Sequence, residues 1–86
     1  MIVLIQYTSA SCAVCRAHKP MLAEIASEFE GELTVKFVDV STLDPEDAST
    51  IGTVPFYRLM QNGLVKEQWI GTKSKSWIVE QIEELL

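Results

Sequence analysis

Ile2-Val3-Leu4-Ile5-Gln6-Tyr7, then Thr8-Ser9-Ala10-Ser11, then Cys12-Ala13-Val14-Cys15: an apolar run, a short polar loop and a closely spaced cysteine pair open this sequence. The run is β-branched or apolar at nearly every position, which suits a strand covered on both faces, as in a parallel sheet. From Cys12 the spacing turns helical. Val14, Met21, Leu22, Ile25, Ala26 and Phe29 form an apolar stripe, with Glu24, Glu28 and Glu30 opposite it. Pro20 falls inside this helix and should kink it, because it has no N–H and its ring meets the preceding turn. Gly31 then stops the helix, and Leu33 to Val40 reads as a second strand. A strand, a long helix and a strand imply a right-handed crossover between parallel neighbours.

Further along, Asp44 is placed to cap a short helix that has Pro45 at its first position. Phe56 to Gln61 and Leu64 to Ile70 flank Asn62-Gly63, a strong hairpin signal because both central residues tolerate positive φ. After Gly71, Ser74 is placed to cap a last helix. Its Ile78, Ile82, Leu85 and Leu86 should face the sheet, with Glu80, Glu83 and Glu84 toward water. The order is β-α-β-α-β-β-α, an α/β fold with a mixed four-stranded sheet flanked by three helices. With 86 residues, 48% of them apolar, the expectation is one domain spanning 1–86.

Seven Lys and Arg stand against twelve Asp and Glu, for a net charge of −5. Such a balance argues against a surface built to neutralise phosphates, so nucleic acid is not expected as a partner. Met1 to Ile5 is too short for a signal peptide or a spanning helix and has no basic segment before it. The chain is therefore expected to be cytoplasmic, without membrane contact.

The cysteine spacing separates a structural staple from redox chemistry. Closing so short a loop removes only roughly 2 kcal/mol of unfolded-state entropy, near the low end for disulfides. Helical residues three apart have α-carbons about 5 Å apart, a distance a disulfide accepts, so the pair should open and close with little backbone motion. Cys12 lies at the first turn, where unpaired N–H groups and the helix dipole favour an anion; its pKa should fall and make it the nucleophile. Cys15, one turn deeper, is then the group that attacks a mixed disulfide formed at Cys12. A second feature is Thr53-Val54-Pro55, at the entry to a strand where proline is unwelcome. A cis Val54-Pro55 bond would resolve the conflict and leave the Val54 backbone free to pair with an extended peptide.

In this order the features resemble the thioredoxin family over essentially the whole chain. They are a strand running into Cys12-Ala13-Val14-Cys15, Pro20 five residues after Cys15, Val54-Pro55 before a strand, Asn62-Gly63 in a hairpin, and Gly71 before a Ser-capped helix. The resemblance implies attack by Cys12, resolution by Cys15 and a cis Pro55. It also implies a substrate groove lined by Thr53, Val54, Pro55, Ile70 and Gly71, with Ser11, Ala13 and Val14 around the attacking sulfur. No cofactor beyond the Cys12–Cys15 disulfide is implied. The implied partners are a thioredoxin-reductase-like donor and protein substrates bearing disulfides, for a chain acting as a monomer.

Departures from the family pattern are equally specific. An extra leading strand and helix are absent, which leaves a glutaredoxin-sized core. Ser11 replaces the usual aromatic residue, Ala13-Val14 replaces Gly-Pro, and Gln6 stands where a buried acid is usual, six residues before the first cysteine. Gly71-Thr72-Lys73 replaces the glutathione-binding pair of glutaredoxins, so glutathione ranks second as electron donor. His18 gives a Cys-x-x-Cys-x-x-His string, but a structural zinc site uses four ligands and no fourth is evident, so no metal is expected. His18 is instead read as a surface or half-buried helical residue. Arg16 and Lys19 read as a solvated helix face, and Trp69 and Trp77 as packing along the last hairpin and helix. The rival to a reductase is a non-catalytic adaptor or Cys/His metal-binding module on the same fold.

Overall fold

Alternation along the first strand decides which residues meet which layer. The computed structural model describes residues 1–86. Strand β1 (Ile2–Thr8) is followed by α1 (Ala13–Glu28) and β2 (Leu33–Asp39). Helix α2 (Pro45–Ile51), strands β3 (Phe56–Gln61) and β4 (Leu64–Ile70) and helix α3 (Lys75–Glu83) complete the chain. The sheet order is β2-β1-β3-β4. β1 runs parallel to β2, from Ile2 opposite Leu33 to Thr8 opposite Asp39, and antiparallel to β3.

Because successive side chains point to opposite faces, Ile2 and Leu4 join Leu22, Ile25, Leu33, Tyr57, Leu59, Trp69, Ile78 and Ile82 in the main core. This core lies between the sheet and α1 and α3, and each fully buried aliphatic side chain in it contributes about 1.5 to 3 kcal/mol. On the other face Tyr7, Ile51 and Phe56 form a smaller cluster, packed against Ile5, Val38, Val40, Leu43 and Val54. Lys75 bridges α3 to Glu24 and Glu28 of α1. That pairing is solvent-exposed and adds little to stability.

Local chemistry explains the boundaries. Asn62 and Gly63 take φ of 53° and 82°, the two positive values that a two-residue hairpin of this twist requires. β4 carries a bulge: Leu59 faces Glu67 while Met60 faces Val65, so Lys66 is the extra residue. Ser74 caps α3, its hydroxyl accepting the Trp77 N–H at 3.2 Å. Helix α1 runs through Pro20 as one element. The expected Asp44 cap does not form through its side chain, and α2 begins on Pro45 without that bond. Val40 leaves the second strand for a 3₁₀ turn over Val40–Thr42, because the Asp39 carboxylate accepts the Ser41 N–H at 2.9 Å and turns the chain. That bond also holds the Asp39 carboxyl below its ordinary range. Leu86 does not face the sheet. It lies beyond α3 and is 58% exposed, while Leu85 packs against the core.

Candidate active site

The parallel strand β1 ends beside the start of α1, and the connecting loop is held by its own backbone. Cys12 N–H donates to Ser9 C=O at 3.1 Å, and the Arg16 guanidinium donates to Ala10 C=O at 2.7 Å. Cys12 takes an extended conformation as the N-cap of α1, and its sulfur accepts the Cys15 N–H at 3.1 Å. A thiol or thiolate here does what a serine hydroxyl does at other helix starts, satisfying an unpaired amide. Cys12 and Cys15 are joined as a disulfide with α-carbons 5.3 Å apart. Their exposures differ: Cys12 is half-buried and Cys15 is fully buried.

Beneath Cys15 lies Gln6, also fully buried. Its amide nitrogen donates to Cys15 C=O at 3.2 Å and to the Tyr57 hydroxyl at 3.0 Å. Since a carbonyl can only accept, these bonds fix which way the amide points. The amide oxygen Oε1 is left buried without a protein partner. Gln6, Tyr57 and Trp69 are opposite one another across β1, β3 and β4. Tyr57 stacks on Trp69 with ring centroids 5.3 Å apart, and Trp77 meets Trp69 edge-on at 5.0 Å. Both tryptophans are thus packing residues.

The Val54-Pro55 peptide is cis and Pro55 is buried. Gly71 N–H donates to Pro55 C=O at 2.8 Å, which brings the Ile70-Gly71 segment against Val54-Pro55. The pairing of Tyr7 with Phe56 and of Phe56 with Ile70 puts both segments at the sheet end from which the chain leads to Cys12. Val54 makes no backbone hydrogen bond within the chain. Val14 is 50% exposed and Ile70 60%. Val14 therefore leaves the apolar stripe of α1 and faces outward between the cysteines, and Ser11, Ala13 and Thr53 are exposed too. His18 is half-buried with its Nδ1 unpartnered, and no three His, Cys, Asp or Glu side chains gather into a metal-holding group.

The thioredoxin family model matches residues 1–84. The chain belongs to the thioredoxin family. It is 31% identical over 86 residues to the bifunctional thioredoxin reductase/thioredoxin of Mycobacterium leprae, covering 98% of this chain and 19% of that protein. It is 29% identical over 86 residues to thioredoxin of Mycobacterium tuberculosis H37Rv, covering 98% of this chain and 73% of that one. To thioredoxin C-2 of Corynebacterium nephridii it is 26% identical over 83 residues, or 95% and 77% of the two chains. The chain thus spans about a fifth of the bifunctional protein and about three quarters of these thioredoxins.

As in other thioredoxins, the cysteine pair at disulfide distance is that of a thiol-disulfide oxidoreductase, which carries two electrons between dithiol and disulfide. In this chain the floor under Cys15 is neutral, the buried amide of Gln6. Tyr57, the residue that holds Gln6 from the next strand, escapes a reading of motifs. Only its register opposite Gln6 reveals it.

Burial pushes the Tyr57 hydroxyl above its ordinary value of 10.0, and the bond from Gln6 pulls it partly back. A group whose folded pKa is raised contributes stability that is fully present below the unfolded value and is lost as pH rises through the folded one. Urea unfolding of the parent should therefore weaken above about pH 10, and Tyr57→Phe should remove part of that weakening while costing about 1 kcal/mol at neutral pH. Lys75 titrates in the same region but is common to both proteins, so the difference isolates Tyr57. An identical alkaline decline in the two proteins would contradict the assignment.

Proposed function

We propose that this chain reduces disulfides in protein substrates, with Cys12 as the attacking thiolate and Cys15 as the resolving thiol. The observation that carries this reading is the asymmetry of the pair: the accessible sulfur sits at the helix start and accepts an amide hydrogen bond, while the other is sealed from solvent. The Cys12 thiolate attacks one sulfur of a substrate disulfide, and the second substrate sulfur leaves as a thiolate. Cys15, deprotonated, then attacks the Cys12 sulfur; the Cys12–Cys15 disulfide forms and the first substrate thiolate departs. Two electrons have passed to the substrate, and a dithiol donor restores the pair.

An extended substrate segment pairs with the free backbone of Val54, in the manner of strand addition. Pro55, Thr53, Ile70 and Gly71 form the groove, and Ser11, Ala13 and Val14 surround the attacking sulfur. The donor is of the thioredoxin-reductase type, a class present in the name of the bifunctional mycobacterial relative; glutathione ranks second. The chain acts as a single domain over 1–86, as a monomer in the cytoplasm, with no cofactor or metal. No helix is long and apolar enough to cross a membrane.

The test combines two measurements on the reduced protein. The rate of Cys12 alkylation against pH should give a pKa well below the roughly 8.5 of a free cysteine. Insulin disulfide reduction with dithiothreitol as donor should be accelerated. An ordinary thiol pKa together with no acceleration would replace this reading by a non-catalytic adaptor.

A further inference from the structure

On the sheet face opposite Gln6 and Cys15, a cavity of about 240 Å³ opens between α2 and the sheet, lined by Tyr7, Leu43, Asp47, Thr50, Ile51 and Arg58. Its least ordinary feature is Arg58. The side chain is half-buried, and its guanidinium lies 5.4 Å from the ring centroids of both Tyr7 and Phe56. It donates to the Tyr7 hydroxyl and to the Gln68 side-chain oxygen, each at 3.3 Å. Only two of its five N–H groups are engaged by these bonds. In a chain with twelve carboxylates it forms no salt bridge; the ion pairs of this structure belong to Lys75. A half-buried guanidinium packed beside two touching rings, with three N–H groups unengaged and no anion, is an unfinished binding arrangement.

The rest of the lining states what would finish it. Tyr7 accepts from Arg58 and keeps its own O–H to donate, so it and Arg58 form a donor wall. Thr50 spends its hydroxyl proton on Asp47 C=O at 2.7 Å and keeps its lone pairs. Thr50 and Asp47, which both line the cavity from α2, therefore make its acceptor side, and Asp47 brings a negative charge to it. Leu43 and Ile51 supply apolar surface. The volume falls below the roughly 300 to 1,000 Å³ of pockets for drug-sized ligands, so the occupant is about the size of one residue.

We propose that this cavity binds a free α-amino acid with an apolar side chain. Its carboxylate would lie on Arg58 and the Tyr7 hydroxyl, its ammonium on Asp47 and Thr50, and its side chain against Leu43 and Ile51. The same carboxylate and side chain also occur at the C-terminus of a peptide, where the ammonium is replaced by an amide N–H. Asp47 favours the charged, free form.

Two-dimensional amide NMR of the ¹⁵N-labelled chain tests this, with leucine, N-acetylleucine and leucinamide as probes up to about 20 mM, weaker binding counting as none. Leucine should shift the amides of Leu43, Asp47, Thr50, Ile51 and Arg58 saturably, and leucinamide, lacking the carboxylate, should not. N-acetylleucine should bind at least about tenfold more weakly, the loss expected when a charge-assisted bond is removed. Equal binding of N-acetylleucine would overturn the free amino acid in favour of a peptide C-terminus. Arg58→Gln should abolish the leucine response, and Asp47→Asn, at an exposed position, should weaken it. The comparison of the three probes on the parent chain decides the matter even if Arg58→Gln fails to fold. No saturable response to leucine, or an equal response to leucinamide, would overturn the proposal, and insulin reduction would be untouched by either result.

Discussion

Cys12→Ser is expected to remove insulin disulfide reduction down to the rate of dithiothreitol alone, and Cys15→Ser to convert the protein into a trap. Both outcomes follow from the unequal exposure of the sulfurs. Only Cys12 is accessible to a substrate disulfide, since Cys15 is fully buried. Without Cys12 no mixed disulfide forms, because a sealed thiol has no path to a substrate sulfur. Without Cys15 the mixed disulfide at Cys12 forms as before but has no internal group to attack it, so it persists until an external thiol arrives. Mass spectrometry of each variant after exposure to an oxidised protein substrate should find adducts on Cys12 in Cys15→Ser and almost none in Cys12→Ser. Adducts mainly on Cys15 would reverse the roles. The stability of Cys12→Ser in reducing buffer should change little, since a serine hydroxyl serves as well as sulfur at a helix N-cap and accepts the same Cys15 N–H.

The parts of this site that were legible in the sequence are those that depend on near neighbours. A strand end, a loop and a cysteine pair at helical spacing need only local rules, and the observed α-carbon separation of 5.3 Å agrees with the helical geometry. The hairpin at Asn62-Gly63 and the Ser74 cap are equally local. Where two local chemistries competed, the reading went astray. Val40 was a strand residue by pattern, yet the Asp39 carboxylate bonds the Ser41 N–H and ends the strand before it. Short acidic side chains often divert the backbone in this way. Asp44 had the right identity for a cap, but the sequence does not determine where its carboxylate points. Leu86 continued the helical spacing past the point where α3 ends.

Long-range contacts were the least accessible. Nothing in the order of residues says that Tyr57 stands opposite Gln6, because register between β1 and β3 depends on the whole sheet. The cation in the second-face cavity was hidden for the same reason. Arg58 is one charge in an alternating strand until Tyr7 and Phe56 are seen packed together beside it.

The largest effect on stability is expected from Gln6→Asp. Gln6 is fully buried and donates both to Cys15 C=O and to the Tyr57 hydroxyl. An ionised aspartate can donate neither bond. It would also place a negative charge among groups that are fully or almost fully buried, beside a carbonyl oxygen that can only repel it. Each buried polar group left unsatisfied costs about 1 to 3 kcal/mol, so the substitution should cost about 3 to 5 kcal/mol at neutral pH, the range seen when a buried charge loses its partner. The sign of its pH dependence is fixed by the same burial. Desolvation raises the folded pKa of the new carboxyl above the unfolded value near about 3.9. The variant should therefore come closest to the parent in stability below that value, where the neutral acid can again donate a hydrogen bond, and fall behind as pH rises through the folded pKa. A second consequence concerns the chemistry. A buried carboxylate under Cys15 is a base within reach of the resolving thiol, whereas the amide oxygen of Gln6 is not, so the pH profile of disulfide reduction should gain a third titrating group. Urea unfolding across the acidic and neutral range, together with that profile, checks both statements. A variant as stable as the parent at every pH, with an unaltered profile, would mean that residue 6 does not form the floor beneath Cys15.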